Sequence, residues 1–181
     1  MKFHLDNGGI SRYEKFKSIY KDFLKKNLSK EEENRLGREF SEFCYKEVII
    51  CPYVKGAKEF LERNYKNYMF FIVSGTPHDE MNRIIDARQL RRYFKEILGT
   101  PGSKSELIKM ILKRYNLKNI EVVFIGDAPT DYIGAKEALI EFIARVAPGK
   151  YNPFESNMYE IMYQIKDLRS LEKILDKLND K

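Results

Sequence analysis

Apolar residues recur along this chain with two different spacings, and the change between them divides the sequence into two parts. Up to residue 50 they recur every three or four positions, which predicts two amphipathic helices. Ser11 and Glu14 form a capping-box pattern at the start of the first helix. Ser29 and Glu32 repeat that pattern at the start of the second. Two such helices joined by a short turn form a hairpin whose apolar faces need a further surface to cover them.

From Pro52 onward the pattern changes to short apolar runs that alternate with segments of helical spacing. Alternation of this kind predicts an α/β fold with a parallel, doubly wound sheet and right-handed crossovers. In order, the expected elements are a helix at 58–63, a strand at 68–74, a helix at 77–88, a strand at 96–98, a helix at 103–115, a strand at 122–125, a helix at 129–138, a strand at 140–145 and a helix at 168–178.

The segment EVVFIGDAPTD, residues 121–131, places two carboxylates directly after an apolar run. The run is typical of a buried parallel strand, and Pro129 suits the first turn of a following helix. Asp127 and Asp131 therefore lie at the carboxyl end of a strand, where open α/β sheets bind ligands. Two acidic oxygen donors there suit Mg²⁺. The alternative is structural, with Asp127 capping the helix and Asp131 as a first-turn acid that the helix dipole favours.

A second apolar run, YMFFIVS, ends in Ser74 and is followed by Gly75, Thr76 and Pro77. A hydroxyl followed by glycine at a strand end can offer a side-chain donor and backbone N–H groups to an anion. The alternative is that Thr76 caps a helix that begins at Pro77, which assigns no task to Ser74.

Lys104 lies in a helical first turn, because Ser103 and Glu106 on either side of it form a capping box. The helix dipole disfavours a cation at that position. Such a lysine is either simply solvated or, if a phosphate lies at the helix terminus, part of an anion site.

Taken in order, these three segments resemble the motifs of the haloacid dehalogenase-like (HAD) superfamily, in its phosphoglycolate phosphatase and β-phosphoglucomutase-like branch. The strand that ends in Ser74 is similar to the second motif of the family. Lys104 is similar to the third motif, and the pair of Asp127 and Asp131 is similar to the fourth. The resemblance implies that the sheet is the Rossmann-like core of that family.

The resemblance extends over nearly the whole chain. The stretch GGISRYEKF, residues 8–16, is similar to part of the helical cap of that branch. The segments Asn152-Pro153-Phe154 and DLRSLEKIL are similar to its end. The resemblance therefore implies a small, partial helical cap domain at residues 1–50 and an α/β core at residues 51–181.

The family resemblance also implies a function, that of a Mg²⁺-dependent phosphatase acting on a small phosphate monoester. In that family an aspartate attacks phosphorus and forms an aspartyl-phosphate that water hydrolyses. By resemblance, Ser74, Gly75 and Lys104 bind the phosphoryl group, and Lys104 neutralises its charge. Asp127 binds Mg²⁺, and Asp131 orients Lys104 or a metal-bound water.

The family's first motif, a strand followed by Asp-x-Asp that supplies the nucleophile, has no match in the 181 residues. Asp6 is the only early acidic residue, and the place of a second aspartate is taken by Gly8. We therefore expect a phosphatase that is amino-terminally incomplete in this chain and inactive as given. One alternative is a catalytically inactive relative that binds a phosphorylated ligand or a protein partner. Another is an interaction domain without an active site.

The missing strand has a structural consequence. In the family it lies between the strands that end at Ser74 and Asp127. Without it, those strands either pair directly or leave a gap with unpaired backbone groups and bare apolar surface. Because an open sheet edge promotes association, we expect a rearranged sheet or self-association through the exposed sheet.

The composition excludes several classes of partner. The 33 Lys and Arg residues exceed the 27 Asp and Glu residues, but the excess is spread along the chain, so we expect no nucleic-acid role. No apolar stretch is long enough to span a bilayer, and no signal-peptide pattern opens the sequence. Cys44 and Cys51 form neither a disulfide framework nor a zinc spacing. We therefore expect a cytoplasmic protein whose partner is a small phosphorylated molecule rather than nucleic acid or membrane.

Overall fold

The computed structural model describes residues 10–156 and 158–179. It is an α/β fold of parallel strands, which confirms the fold class expected from the alternating pattern. In chain order its elements are α1 (Arg12–Ser18), a π-helical segment (Ile19–Leu24), α2 (Lys30–Ile50), α3 (Ala57–Asn64), β1 (Phe70–Pro77), α4 (His78–Ala87), β2 (Phe94–Thr100), α5 (Lys104–Arg114), β3 (Val123–Gly126), α6 (Pro129–Glu137), β4 (Glu141–Arg145), β5 (Tyr163–Ile165) and α7 (Leu171–Asn179).

The two amino-terminal helices begin where the serines predict. Ser29 caps α2 by accepting a hydrogen bond from the Glu32 N–H at 3.2 Å. Ser11 caps α1, but it accepts from the Tyr13 N–H at 3.3 Å, so the predicted pairing with Glu14 is wrong. Aromatic rings of α1 and α2 meet edge to face, as the predicted hairpin requires.

Two predictions about the amino-terminal part are not decided by this arrangement. Asp6 and Gly8, on which the nucleophile argument depends, lie outside the described residues. The division into a cap domain at 1–50 and a core at 51–181 stays a prediction.

The five strands of the described residues form two separate parallel sheets. β1 pairs with β2, so that Phe70 lies opposite Phe94 and Pro77 lies opposite Thr100. β4 pairs with both β3 and β5, and the order of the second sheet is β3, β4, β5. Helix α4 connects β1 to β2 and helix α6 connects β3 to β4, which are the crossovers that a parallel sheet needs.

The second sheet is covered by helices on both faces. Along β4, Phe142 and Ala144 pack in the same apolar cluster as residues of α5 and α6. Ile143, which points to the other face, packs with Phe60 of α3 and Leu171 of α7. Alternate residues of one strand therefore serve two cores, which is the reason that its sequence is apolar throughout.

A gap separates β1 from β3, so of the two outcomes weighed for a missing strand the direct pairing of these strands, and with it the expected rearranged sheet, is wrong. Within the part of the chain that the structure describes, β1 pairs only with β2 and β3 only with β4. A cavity of about 260 Å³ lies between them, and we call it the strand slot. Its walls are mainly Phe70, Phe71 and Val73 of β1, Val123, Phe124 and Ile125 of β3, Ile108, Ile111 and Leu112 of α5, and Leu171 and Leu175 of α7.

The strand slot leaves both of its flanking strands incompletely covered. Every residue of β1 and of β3 is only half-buried, whereas Phe142, Ile143 and Ala144 of β4 are at most 6% exposed. Apolar walls on all sides and two open strand edges suit one extended apolar segment. Whether the open edges cause self-association stays a prediction.

Two details of the fold differ from the sequence-based expectation. The strand β1 continues through Thr76 to Pro77, and α4 begins without a side-chain cap, so the alternative in which Thr76 caps that helix is wrong. The short strand β5 was not predicted, because three residues carry too little pattern and its extended form depends on pairing with β4. Among the residues that the structure describes, none of the helices is both long enough and apolar enough to cross a membrane.

Candidate functional site

The carboxyl ends of β1, β3 and β4 meet beside the amino-terminal ends of α5 and α6. A cavity of about 330 Å³ opens at this point, and we call it the site cavity. Four of the predicted residues line it together with Arg145 of β4, which was not predicted. The four are Ser74, Lys104, Asp127 and Asp131. The structure thus brings together side chains from three motifs that are far apart in the sequence.

Asp131 is buried and its carboxylate is fully engaged within the protein. One oxygen, Oδ2, accepts hydrogen bonds from the N–H groups of Asp127 at 3.1 Å and Ala128 at 3.0 Å. The other oxygen, Oδ1, accepts from the Lys104 ammonium. The N-cap residue of α6 is Ala128, so the alternative in which Asp127 is the N-cap is wrong, and Asp131 is an acid of the first helical turn that binds the backbone just before it.

Asp127 is the carboxylate that remains open to a ligand. Its side chain is 66% exposed, and its ion-pair partner is Arg145, whose Nη1 lies 3.6 Å from Asp127 Oδ2. Within residues 10–156 and 158–179, no group of three or more His, Cys, Asp or Glu side chains is placed to hold a metal ion. One open carboxylate nevertheless fits Mg²⁺, which binds proteins through one or two carboxylates and takes its other oxygens from phosphate and water. The donor set therefore fits a weakly held Mg²⁺ at Asp127.

Lys104 is fixed at the start of α5. Ser103 and Glu106 form both hydrogen bonds of the predicted capping box, which sets the first turn of the helix. The Lys104 side chain is 13% exposed and pairs with Asp131, whose charge offsets the unfavourable helix dipole. The ammonium is held at the wall of the site cavity, so it is not merely a solvated surface lysine.

Ser74 and Gly75 form the third side of the site. The Ser74 hydroxyl oxygen accepts a hydrogen bond from the Thr76 N–H at 3.1 Å, which orients the side chain at the end of β1. In the described part of the chain this hydroxyl donates to no protein group, so its proton is available to an anion. Gly75 lines a larger cavity of about 830 Å³ that extends from Ser74 and Lys104 toward α1.

The amino-terminal helices α1 and α2 add basic and apolar groups beside the site. A cavity of about 400 Å³ is lined by Arg12, Lys15, Phe16 and Phe40 on the helical side and by Ser74, Lys104 and Asp127 on the core side. Burial lowers the pKa of Lys15, because a low-dielectric setting disfavours the charged amine.

Two glycines permit the close approach on which the site depends. A Cβ at Gly126 would lie 2.3 Å from the Cβ of Asp131. A Cβ at Gly134 of α6 would lie 2.7 Å from the Cβ of Lys104. Any larger residue at either position would separate β3 from α6, or α5 from α6, and thereby move Lys104 and Asp131 apart.

We predict that Gly126→Ala destabilises the protein by about 1–3 kcal/mol, as overpacking of a tight contact does. It should also weaken the response to phosphate and Mg²⁺, because Asp131 would no longer hold Lys104. Urea unfolding and melting curves with and without the ligands measure the two effects. Gly149→Ala is the comparison, because no atom lies within 4 Å of a Cβ there and only the strain of its φ of +68° is added. An unchanged ligand response in Gly126→Ala would contradict the prediction.

Arg145 is the site residue that sequence reasoning missed. It is the last residue of the strand expected at 140–145, and the carboxyl end of a parallel strand is where ligands bind. This position at the end of a predicted strand was the sequence feature that could have indicated Arg145. No sequence motif includes an arginine there, so it was not identified.

Comparison with known proteins identifies relatives of this chain. The model of the haloacid dehalogenase-like hydrolase family matches residues 12–145. A candidate phosphatase from Clostridium difficile is 27% identical, with a TM-score of 0.69 over 87% of this chain and 76% of that protein. A predicted phosphoglycolate phosphatase from Haemophilus somnus is 19% identical, with a TM-score of 0.75 over 94% of this chain and 80% of that protein.

A third solved structure, β-phosphoglucomutase from Clostridium difficile, is 20% identical, with a TM-score of 0.77 over 99% of this chain and 82% of that protein. A search of curated protein sequences found no match. The family match spans Ser74, Lys104, Asp127 and Asp131, and it confirms the resemblance inferred from these motifs. The two structures of lower identity establish a shared fold.

Proposed function

We propose that this chain, which belongs to the haloacid dehalogenase-like hydrolase family, carries the phosphate-binding and metal-binding side of a Mg²⁺-dependent phosphatase. Its substrate would be a small phosphate monoester. The observation that carries the proposal is that Ser74, Lys104 and Asp127 line one cavity at the carboxyl edge of parallel strands. Similarity to a candidate phosphatase at 27% identity supports the same class of reaction.

Each of the site residues has a task that its position allows. The Ser74 hydroxyl donates to a phosphoryl oxygen, and the Lys104 ammonium neutralises part of the negative charge. Asp131 keeps Lys104 in place and holds the turn that carries Asp127. Mg²⁺ bound by Asp127 would stabilise the developing charge on the phosphoryl group. Together these contacts supply positioning and charge stabilisation, which account for most of the catalysis of phosphoryl transfer.

The attacking group is the part of this site that we do not assign to a described residue. Asp127 and Asp131 are the carboxylates that line the site cavity in the described chain, and both have other tasks. The 181 residues contain no Asp-x-Asp. We therefore propose that the chain as given binds phosphate and metal without turning over a phosphate ester.

A catalytically inactive relative that binds a phosphorylated ligand or a protein partner is the second candidate. The position of Ser74, Lys104 and Asp127 around one cavity favours this candidate as well, because a site without an attacking group still binds an anion. The two candidates differ in their response to a supplied carboxylate, since only the phosphatase site would begin to hydrolyse the ester.

Cys44 and Cys51 are both free thiols, which supports the cytoplasmic location that we propose.

We expect phosphate or vanadate together with Mg²⁺ to raise the melting temperature more than either ligand alone. At ligand concentrations about a hundredfold above Kd, the gain is about 2.7 kcal/mol, or an increase of about 5 °C or more. Asp127→Ala and Lys104→Ala should each remove most of this increase, because each removes a contact to metal or phosphate. Differential scanning fluorimetry measures the change.

Two variants serve as matched controls for that experiment. Lys109→Ala removes an exposed lysine from the same helix as Lys104, and Asp176→Ala removes an exposed aspartate of α7. Both should keep the full increase. If Asp127→Ala and Lys104→Ala also keep it, the assignment of the site is wrong.

A further inference from the structure

We propose that Arg145 is the resident counter-ion of Asp127, which holds this carboxylate when no metal is bound and which a divalent cation must displace. The inference rests on the proposed function, because it takes Asp127 as the metal-binding carboxylate. Arg145 belongs to none of the sequence motifs by which the site was found.

Strand register brings the two side chains together. Gly126 of β3 pairs with Ala144 of β4, so the next residues, Asp127 and Arg145, lie at the same level on neighbouring strands. Arg145 itself pairs with Ile165 of β5, which holds its backbone within the sheet. The Arg145 side chain is 24% exposed and that of Asp127 is 66% exposed. The backbone of Arg145 is therefore fixed by the sheet, and the more exposed Asp127 carboxylate is the partner with more freedom to move.

Among the described residues, Asp127 is the carboxylate that forms an ion pair with Arg145. Its Nε is buried and has no hydrogen-bond partner among the residues that the structure describes. Asp131 is the other carboxylate of the site cavity, and its oxygens are taken by Lys104 and by the N–H groups of Asp127 and Ala128. When Asp127 binds a metal ion, Arg145 loses its ion-pair partner. An unpaired, partly buried cation is unfavourable.

The charges of the site cavity also favour joint binding of metal and phosphate. Lys104 and Arg145 balance Asp127 and Asp131, so a divalent cation alone meets no net negative charge. A phosphate that arrives with the metal gives Arg145 and Lys104 a new anionic partner. Arg145 therefore makes metal binding weak in the absence of phosphate and couples the two ligands, an effect that must be reciprocal.

The test is the affinity of the 181-residue chain for Mn²⁺, followed through the electron paramagnetic resonance signal of the free ion. Arg145→Gln should bind Mn²⁺ about two- to fivefold more tightly than wild type, the range expected when a partly exposed ion pair no longer competes. Added inorganic phosphate should then improve Mn²⁺ binding less than it does in wild type. Arg145→Lys keeps the charge and should stay close to wild type, and it also shows whether a substitution at this position is tolerated by the fold.

Arg91→Gln is the matched control, because it breaks an ion pair with Asp86 at the opposite, amino-terminal edge of the strands. It should leave Mn²⁺ affinity unchanged. Equal or weaker Mn²⁺ binding in Arg145→Gln, or no detectable binding in either protein, would overturn the inference. Loss of phosphate stabilisation with unchanged Mn²⁺ affinity would also overturn it, because Arg145 would then be a phosphate ligand.

Asp127→Asn separates a failure of this inference from a failure of the proposed function. If Asp127→Asn abolishes Mn²⁺ binding while Arg145→Gln does not change it, Asp127 is the metal ligand and only the counter-ion role is wrong. If Asp127→Asn binds Mn²⁺ as wild type does, the proposed metal site itself is wrong.

Discussion

The 181-residue chain is expected to release no phosphate above background from small phosphate monoesters in the presence of Mg²⁺. In the proposed site, Ser74, Lys104 and a metal at Asp127 would stabilise a transferring phosphoryl group, but the two described carboxylates that line the cavity, Asp127 and Asp131, have other tasks. The measurement is phosphate release from several generic esters, with Asp6→Asn as a companion variant. Turnover that disappears in Asp6→Asn would contradict the prediction and make Asp6 the nucleophile. Turnover that is lost only in Lys104→Ala would instead indicate direct attack by water.

A peptide that fills the strand slot should supply the attacking group that the described residues lack. A peptide with an apolar strand followed by Asp-x-Asp, supplied in trans, should enter between β1 and β3 and pair with both open edges. Entry should raise the melting temperature by mass action and create turnover where there was none. A peptide with Asn-x-Asn should stabilise the protein equally without creating turnover. A peptide with proline at its centre should do neither, because proline cannot donate to a central strand.

Glu80→Ala is expected to have the largest effect on stability of any single substitution that we consider. Glu80 of α4 binds the Arg12 guanidinium through both oxygens, at 2.9 Å in each case. Ser41 of α2 donates to Glu80 at 2.7 Å and accepts from Arg12 at 2.6 Å. The Arg12 and Glu80 side chains are only 9% and 7% exposed. Removal of the carboxylate would leave a buried, unpaired guanidinium, which lowers the free energy of unfolding by about 3–5 kcal/mol.

Urea unfolding measures this loss, and a second, more exposed ion pair to α4 supplies the control. Glu42 of α2 pairs with Arg83 of α4 at 3.4 Å, but both side chains are more than half exposed. Glu42→Ala should therefore change the free energy of unfolding by less than about 1 kcal/mol. Replacement of both Arg12 and Glu80 by leucine should lower the free energy of unfolding less than Glu80→Ala alone does, because no buried charge is left without a partner. Equal effects of Glu80→Ala and Glu42→Ala would count against this account.

Local sequence patterns predicted most of the elements of the core. The capping box of Ser103 and Glu106 and the proline at position 129 mark the starts of α5 and α6, and both helices begin there. These patterns predict the starts of helices well because a cap or an apolar run depends only on a few neighbouring residues and not on distant parts of the chain. The strand β5 was missed because it is extended only through its pairing with β4.

The sequence by itself determined the family, the parallel α/β architecture and the meeting of Ser74, Lys104, Asp127 and Asp131 at one edge, since the carboxyl ends of parallel strands meet there. The roles of these residues in catalysis stay predictions.

The tertiary structure decided which groups pair within the site. Asp131, in the first turn of α6, binds the turn before that helix and holds Lys104, while Asp127 faces Arg145, because helix crossing and strand register set these distances. The strand slot is likewise a property of the tertiary structure, because a gap between β1 and β3 depends on how separate elements pack and not on the pattern of any one of them.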